Sequence, residues 1–219
     1  ADAPGLPLYF SAPRRMDITQ ASDVFREVLD WLHVPLDQVR FLHESTLFRE
    51  LQIAAQAEPL NGPPTPVKYL ELLENRILGN LEATRPDGIV FVTRAQLAPE
   101  LGRQAGERYL VFCLQQLGVQ VIYPETLPVR EQMRVYAGAK HLIFSEGSAV
   151  HGRQLLGRID QHISIIRRRF RSQIAQHQIE PRCTSITYVD SYAGVLSFPN
   201  AKGWVVSHAM CSLYQVSAI

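Results

Sequence analysis

Apolar positions along this chain follow one rhythm up to about residue 85 and another beyond it. In the first stretch, Val24, Phe25, Val28, Leu29 and Leu32 recur at helical spacing, behind Thr19 or Ser22 as the capping residue. Leu70, Leu73, Ile77 and Leu81 predict a second helix over 67–81. Leu8-Tyr9-Phe10, closed by the turn Ser11-Ala12-Pro13, and Val39 to Leu42 read as short strands. The run Asn61-Gly-Pro-Pro-Thr-Pro66 separates the two halves of this stretch, because its prolines continue neither a helix nor a central strand.

From Gly88 the pattern becomes regular. A continuously apolar run at 89–92 and mostly apolar runs at 119–123, 141–144 and 163–166 predict strands. Between them lie helical stretches at about 104–117, 129–137 and 148–156. Such alternation predicts right-handed βαβ units and an α/β fold: a Rossmann-like parallel sheet flanked by helices. Strands this apolar predict cover on both faces. Toward the end, 172–179 reads as a helix, with strands at 184–189 and 203–206. The division expected is an α/β segment over 1–84, packing on or joining the main sheet, and a Rossmann-like domain over 85–219.

Composition narrows the possibilities. A length of 219 residues, 46% hydrophobic and 20% charged, is that of an ordinary globular protein. A net charge of +1 argues against a nucleic-acid binder. Lysine occurs only at Lys68, Lys140 and Lys202, so arginine, the better bidentate phosphate ligand, supplies nearly all the positive charge. Cys113, Cys183 and Cys211 form no paired framework, which points to reduced thiols and a cytoplasmic setting. Neither a leader-like start nor a membrane-length apolar run is evident, so any membrane contact is expected to be peripheral.

Ligands of open parallel sheets bind beyond the carboxyl ends of the strands. Ser145-Glu146-Gly147-Ser148-Ala149-Val150-His151 follows the strand at 141–144. Its small residues admit a ligand close to the backbone, and a new helix would aim free N–H groups at an anion. Ser148 and His151, three positions apart, share a helix side. The plainer reading, a tight turn with Ser148 as N-cap and His151 as a satisfied surface residue, stands beside it. Thr93-Arg94 ends the strand at 89–92, with Arg103 and Gly106-Glu107 at the next helix start. These arginines are candidates for a diphosphate, and equally solvated loop residues with Glu107 beside a helix N-terminus. The run Arg167-Arg168-Arg169 with Arg171 reads as a solvated strand end, with RNA or an acidic membrane as the other possibility. Dinucleotide-fingerprint, P-loop, nucleophile-elbow and metal-ligand spacings are absent.

Taken in order, Ile89-Val-Phe-Val-Thr-Arg94, Gly102-Arg103, Gly106-Glu107, Leu117-Gly-Val-Gln-Val-Ile-Tyr-Pro-Glu125, Glu131-Gln132 and Glu146-Gly-Ser-Ala-Val-His151 resemble glycosyltransferase family 61. That family includes bacterial proteins described as capsular polysaccharide biosynthesis proteins. The likeness runs over about 85–166, and more weakly at Trp31-Leu-His-Val34, where relatives carry a Leu-Gly-Ile-type helix end. It implies the C-terminal, nucleotide-sugar-binding half of a GT-B-type enzyme that transfers a sugar, commonly from a UDP-sugar, with inversion. The nucleotide-sugar is then a substrate, the acceptor a glycan or polysaccharide, and no cofactor or metal is implied.

Carried over by position, Arg94 would grip the diphosphate, with Arg103 in support, and Glu146, Gly147, Ser148 and His151 would hold nucleotide or sugar. Thr93 stands for the usual Ser, and Gly152 where relatives often have Asn. Inverting transfer needs a base on the acceptor hydroxyl. His151 and Glu44 are the candidates here, with a base from an N-terminal domain as the third; the chain is short for two full domains. A binding module that keeps the fold without transfer, and a scaffold with no ligand, remain the alternatives.

Overall fold

The structure, a computed structural model, describes residues 6–12, 17–59, 62–82, 86–98, 101–199 and 205–211. Pro13 and Asn61 of the expected turns, and Gly203-Trp204 of the last expected strand, lie outside these residues.

The chain opens with strand Leu8–Ser11 (β1), helix Asp23–Trp31 (α1) and strand Val39–Leu42 (β2). Ser22, not Thr19, caps α1 by accepting from the Phe25 amide at 3.3 Å. β1 and β2 pair in parallel as a sheet of their own. Trp31 ties this unit to the rest: its ring is almost wholly buried and its Nε1 donates to the Leu155 carbonyl at 2.8 Å. Helix Val67–Arg76 (α2) stops short of the predicted Leu81, because the chain turns through Gly79 at φ 87°, a conformation glycine adopts freely. Leu81 still packs against the core from outside the helix.

Then come Asp87–Val92 (β3), Gln104–Ala105 (β4), Glu107–Gln116 (α3), Gln120–Ile122 (β5), Val129–Gly138 (α4) and Ala139–Ser145 (β6). Ala149–Gly152 (α5), His162–Ile166 (β7), Gln176–Ile179 (α6), Ser185–Val189 (β8), Tyr192–Pro199 (β9) and Val205–Cys211 (β10) follow. The helix expected from 104 starts at Glu107, since Gln104 and Ala105 pair in parallel with Ala209 and Met210 of β10. β9, which the sequence did not suggest, forms an antiparallel hairpin with β10.

The helix expected over 148–156 is also shorter. After Gly152 the chain tightens into a 3-10 turn at Arg153–Leu155. The cause is Arg153, fully buried, whose guanidinium turns inward to the carbonyls of Gly157 and Arg182 and to Gln161 Oε1, each at 3.0 Å.

The main sheet is entirely parallel, in the order β5-β3-β6-β7-β8. In sheet numbering this is the doubly wound 2-1-3-4-5 arrangement, whose order reverses between its first and third strands, here β3 and β6. Val90, Val92, Leu142, Phe144, Ile163 and Ile165 face α1 and α4 with Trp31, Met133 and Tyr136. On the opposite face Phe91, Ile143 and Ile166 meet Leu110 and Val111 of α3. The expected cover on this second face is partial. Toward the strand starts it carries half-buried His141 and exposed His162, whose imidazoles bond Ser164 and Ser185 at 2.8 Å each. Polar residues at alternate positions make that part of the face compatible with water. Among the described residues no helix is long and apolar enough to cross a membrane.

Candidate functional site

The reversal in strand order brings the loop after β3 against the loop after β6, the two segments singled out by sequence. Arg94 lies so close to Gly147 that a Cβ there would stand 2.8 Å from the guanidinium carbon and 2.9 Å from Cδ. Any side chain at 147 would have to displace the Arg94 side chain from the space beside it.

Beneath this contact lies a buried polar cluster. Glu107 Oε1 accepts from Thr93 Oγ1 and the Arg94 amide, both at 2.8 Å. Ser145 Oγ lies 2.5 Å from the same oxygen and 2.8 Å from Gln104 Oε1, and has one proton for the two. Gln104 in turn donates to the Arg167 carbonyl at 3.0 Å. Glu107 therefore joins the ends of β3 and β6, and Gln104 reaches past the end of β7. The other Glu107 oxygen has no partner among the described residues.

Glu146 is buried and fixes the loop after β7. Its carboxylate accepts from the amides of Arg168 at 2.6 Å and Arg169 at 3.0 Å, from Arg169 Nε at 2.8 Å and from Ser172 Oγ at 2.7 Å. Burial alone would raise its pKa. The bonds from Ser172 and the two amides, with the Arg169 charge, outweigh that and hold the carboxyl below its ordinary value. With its lone pairs occupied, Glu146 anchors protein rather than contacting nucleotide or sugar directly, a correction to the role the resemblance implied.

Two guanidiniums meet at this edge incompletely bonded. Arg94, 6% exposed, donates through Nη2 to the carbonyls of Leu101 at 3.0 Å and Gly102 at 3.3 Å, while its buried Nε has no partner among the described residues. The Nε of half-buried Arg168 is also buried without a partner, and its side chain makes no hydrogen bond to the described residues. Burial lowers the pKa of both; Arg168 is lowered further by the like charges of Arg94 and Arg169.

A cleft of about 720 Å³ is lined by His151, Arg169, Ser172, Gln173, Gln176 and His177 with Gly62, Ile174 and Ala175, and by neither Arg94 nor Arg168. No carboxylate is in this lining. Burial lowers the His151 pKa, so its imidazole is neutral at pH 7. Gln154 Nε2 lies 3.0 Å from its Nδ1; with the amide so oriented, Nδ1 accepts and the ring proton sits on Nε2.

The remaining candidates lie apart. Arg103 bonds the Leu97 carbonyl at 2.6 Å and lines a smaller cavity of about 310 Å³ with Gln104, Glu107 and Arg108. Ser148 is exposed and stands at the N-cap position of α5, though its side chain makes no capping bond there. Glu44 is exposed and lines neither cavity.

Sequence reasoning grouped Arg94 with 146–151, and the structure brings those segments together. It gave Gln104 no role beyond a helix start, and read Glu107 as a helix-start acid, Ser145 as the opening of the loop after β6, and Arg168 as part of a solvated strand end. One signal was available: the arginine run directly follows an apolar strand of a parallel sheet, which puts it on the ligand-binding edge.

The family model described as Glycosyltransferase 61 matches residues 10–153, well over half of the chain. It takes in the end of β1 and all of α1, so the likeness reaches further toward the N-terminus than 85–166. No curated protein and no solved structure matches the chain.

Proposed function

The chain belongs to glycosyltransferase family 61, and on that premise we propose that it transfers a sugar from a nucleotide-sugar, of the UDP-sugar kind, to a glycan acceptor with inversion. The acceptor class is a surface or capsular polysaccharide, and the setting is cytoplasmic, where Cys113 and Cys183 stay as free thiols. The observation that carries the reading is the partly bonded, buried Arg94 packed on Gly147 at the sheet's switch point.

In inverting transfer the acceptor hydroxyl attacks the anomeric carbon opposite the nucleotide. The bond from that carbon to the phosphate oxygen breaks, and the diphosphate leaves with its charge increasing. A buried guanidinium stabilises that growing charge more than water would, since the site excludes solvent and needs no reorganisation. The cleft lined by His151 and Arg169 is of ligand size. Its neutral His151, with the proton on Nε2, is set to donate to a sugar or phosphate oxygen; it accepts the acceptor proton only with the Gln154 amide reversed.

Saturating UDP is expected to stabilise the chain, by about 2.7 kcal/mol at a hundred times Kd. Incubation with UDP-sugars is expected to release UDP, and NMR of the product to show inverted anomeric configuration. No melting shift with any nucleoside diphosphate at millimolar concentration would defeat the reading. The carboxylate-free cleft favours one second reading, a nucleotide-sugar-binding module without transfer: it predicts the same shift with no UDP released.

A further inference from the structure

Arg168 lies beyond the residues matched by the family model, in a run that sequence alone reads as a solvated strand end. Its surroundings argue otherwise. Glu146 holds the Arg168 and Arg169 amides, so the backbone here is fixed beside Gly147 and Arg94. The Arg168 side chain is half-buried, its Nε is wholly buried, and no acceptor among the described residues meets it. Arg94 and Arg169 are its like-charged neighbours; of the two carboxylates whose charge reaches it, Glu146 is bonded to Arg169 and Glu107 to Thr93, the Arg94 amide and Ser145, and neither is hydrogen-bonded to the Arg168 side chain. A cation held there without a partner is unfavourable in the free protein, since a buried charge needs a counter-charge or hydrogen bonds. Such an arrangement suits a site whose counter-ion is the ligand.

We infer that Arg168 is a second phosphate ligand of the donor, opposing Arg94 across β6, so that the site is built for a diphosphate-linked donor rather than a monophosphate-linked one. The inference rests on the donor reading above. Arg94 follows β3 and Arg168 follows β7, the strands on either side of β6. With strands about 4.8 Å apart, the two side chains start roughly 10 Å apart. One phosphate on Arg94 leaves Arg168 unpaired; two joined phosphates give each guanidinium its own oxygens, with charge-assisted bonds.

The test compares wild type with Arg168→Met, which keeps the length and removes the charge. Melting is followed with and without UDP, UMP, uridine and inorganic pyrophosphate, and affinities are measured by calorimetry. Arg168→Met is expected to melt higher than wild type without ligand, because a repelled cation is gone. It is also expected to bind UDP and pyrophosphate at least about tenfold more weakly, the loss of one charged hydrogen bond. UMP affinity is expected to change by less than about threefold, well below that charged-bond loss. A lower ligand-free melting point, or undiminished UDP affinity, overturns the inference. If wild type itself binds neither UDP nor pyrophosphate, the donor reading fails and this one with it. Should the Met variant not fold, Arg168→Gln, with a polar tip, is read by the same affinities.

Discussion

Two pairs of arginines, three of the four residues buried and Arg168 half-buried, meet opposite fates in this protein. Arg153 and Arg182, under α5 and α6, are fully buried and bonded throughout. Arg153 reaches Gln161 and the carbonyls of Leu156, Gly157 and Arg182; Arg182 reaches Leu156, Thr65 and Gln178, with Glu58 as counter-ion at 2.6 Å. Burial brings the Arg153 pKa down to about 10, still charged at pH 7. Arg94 and Arg168, at the carboxyl edge of the sheet, are left with Nε groups that bond nothing among the described residues. The first pair welds the β7–β8 connection and the proline-rich segment to the sheet. The second leaves donors ready for an anion. Burial of an arginine is therefore no guide to its role here; the completeness of its hydrogen bonding is.

Substitutions that remove each kind of arginine give the strongest contrast. Arg153→Met strands several buried acceptors at once and is expected to destabilise by about 3 kcal/mol. For a domain of this size that lowers the melting temperature by roughly 6–12 °C in calorimetry. Arg168→Met is expected to move it the other way. Gly147→Ala comes next: its methyl displaces the flexible Arg94 side chain, so stability falls by only about 1 kcal/mol. UDP affinity is nevertheless expected to fall about tenfold, or about 1.4 kcal/mol, in titration.

Smaller effects lie away from both regions. His33 ends α1 at φ 51°, with the Val34 amide bonding the Leu29 carbonyl at 2.8 Å. His33→Gly is expected to gain up to about 1 kcal/mol in chemical denaturation by relieving the left-handed conformation. The smallest is a pH effect. Burial and the neighbouring His162 push the His141 pKa below its ordinary 6.5. Its contribution to stability is present above pH 6.5 and is lost as pH falls toward the lowered value, because the unfolded chain binds the proton more readily. His141→Asn is expected to flatten melting temperature against pH over that window.

The main sheet was legible because its strands are short, apolar and spaced by helices. Element ends were less so. Glycine conformation at 79 and the inward turn of Arg153 cut two helices short, and both depend on tertiary contacts that periodicity does not contain. In the site, Arg94 and Gly147 were readable as residues after strands, since the topology of a parallel sheet dictates where such residues gather. Glu107 was read as a helix-start acid because that role is local. Its bonds to Thr93, Arg94 and Ser145 exist only once β3 and β6 lie side by side. Arg168 was hidden for a similar reason: three consecutive arginines look alike in sequence, and only the Glu146 bracket distinguishes them.

A crystal structure of the chain with UDP tests the central claim most directly. The account predicts the two phosphates between the β3 and β6 loops, each within hydrogen-bond distance, about 3 Å, of the Arg94 or Arg168 guanidinium. UDP bound with its phosphates away from both arginines, and their Nε groups still unpartnered, would contradict it.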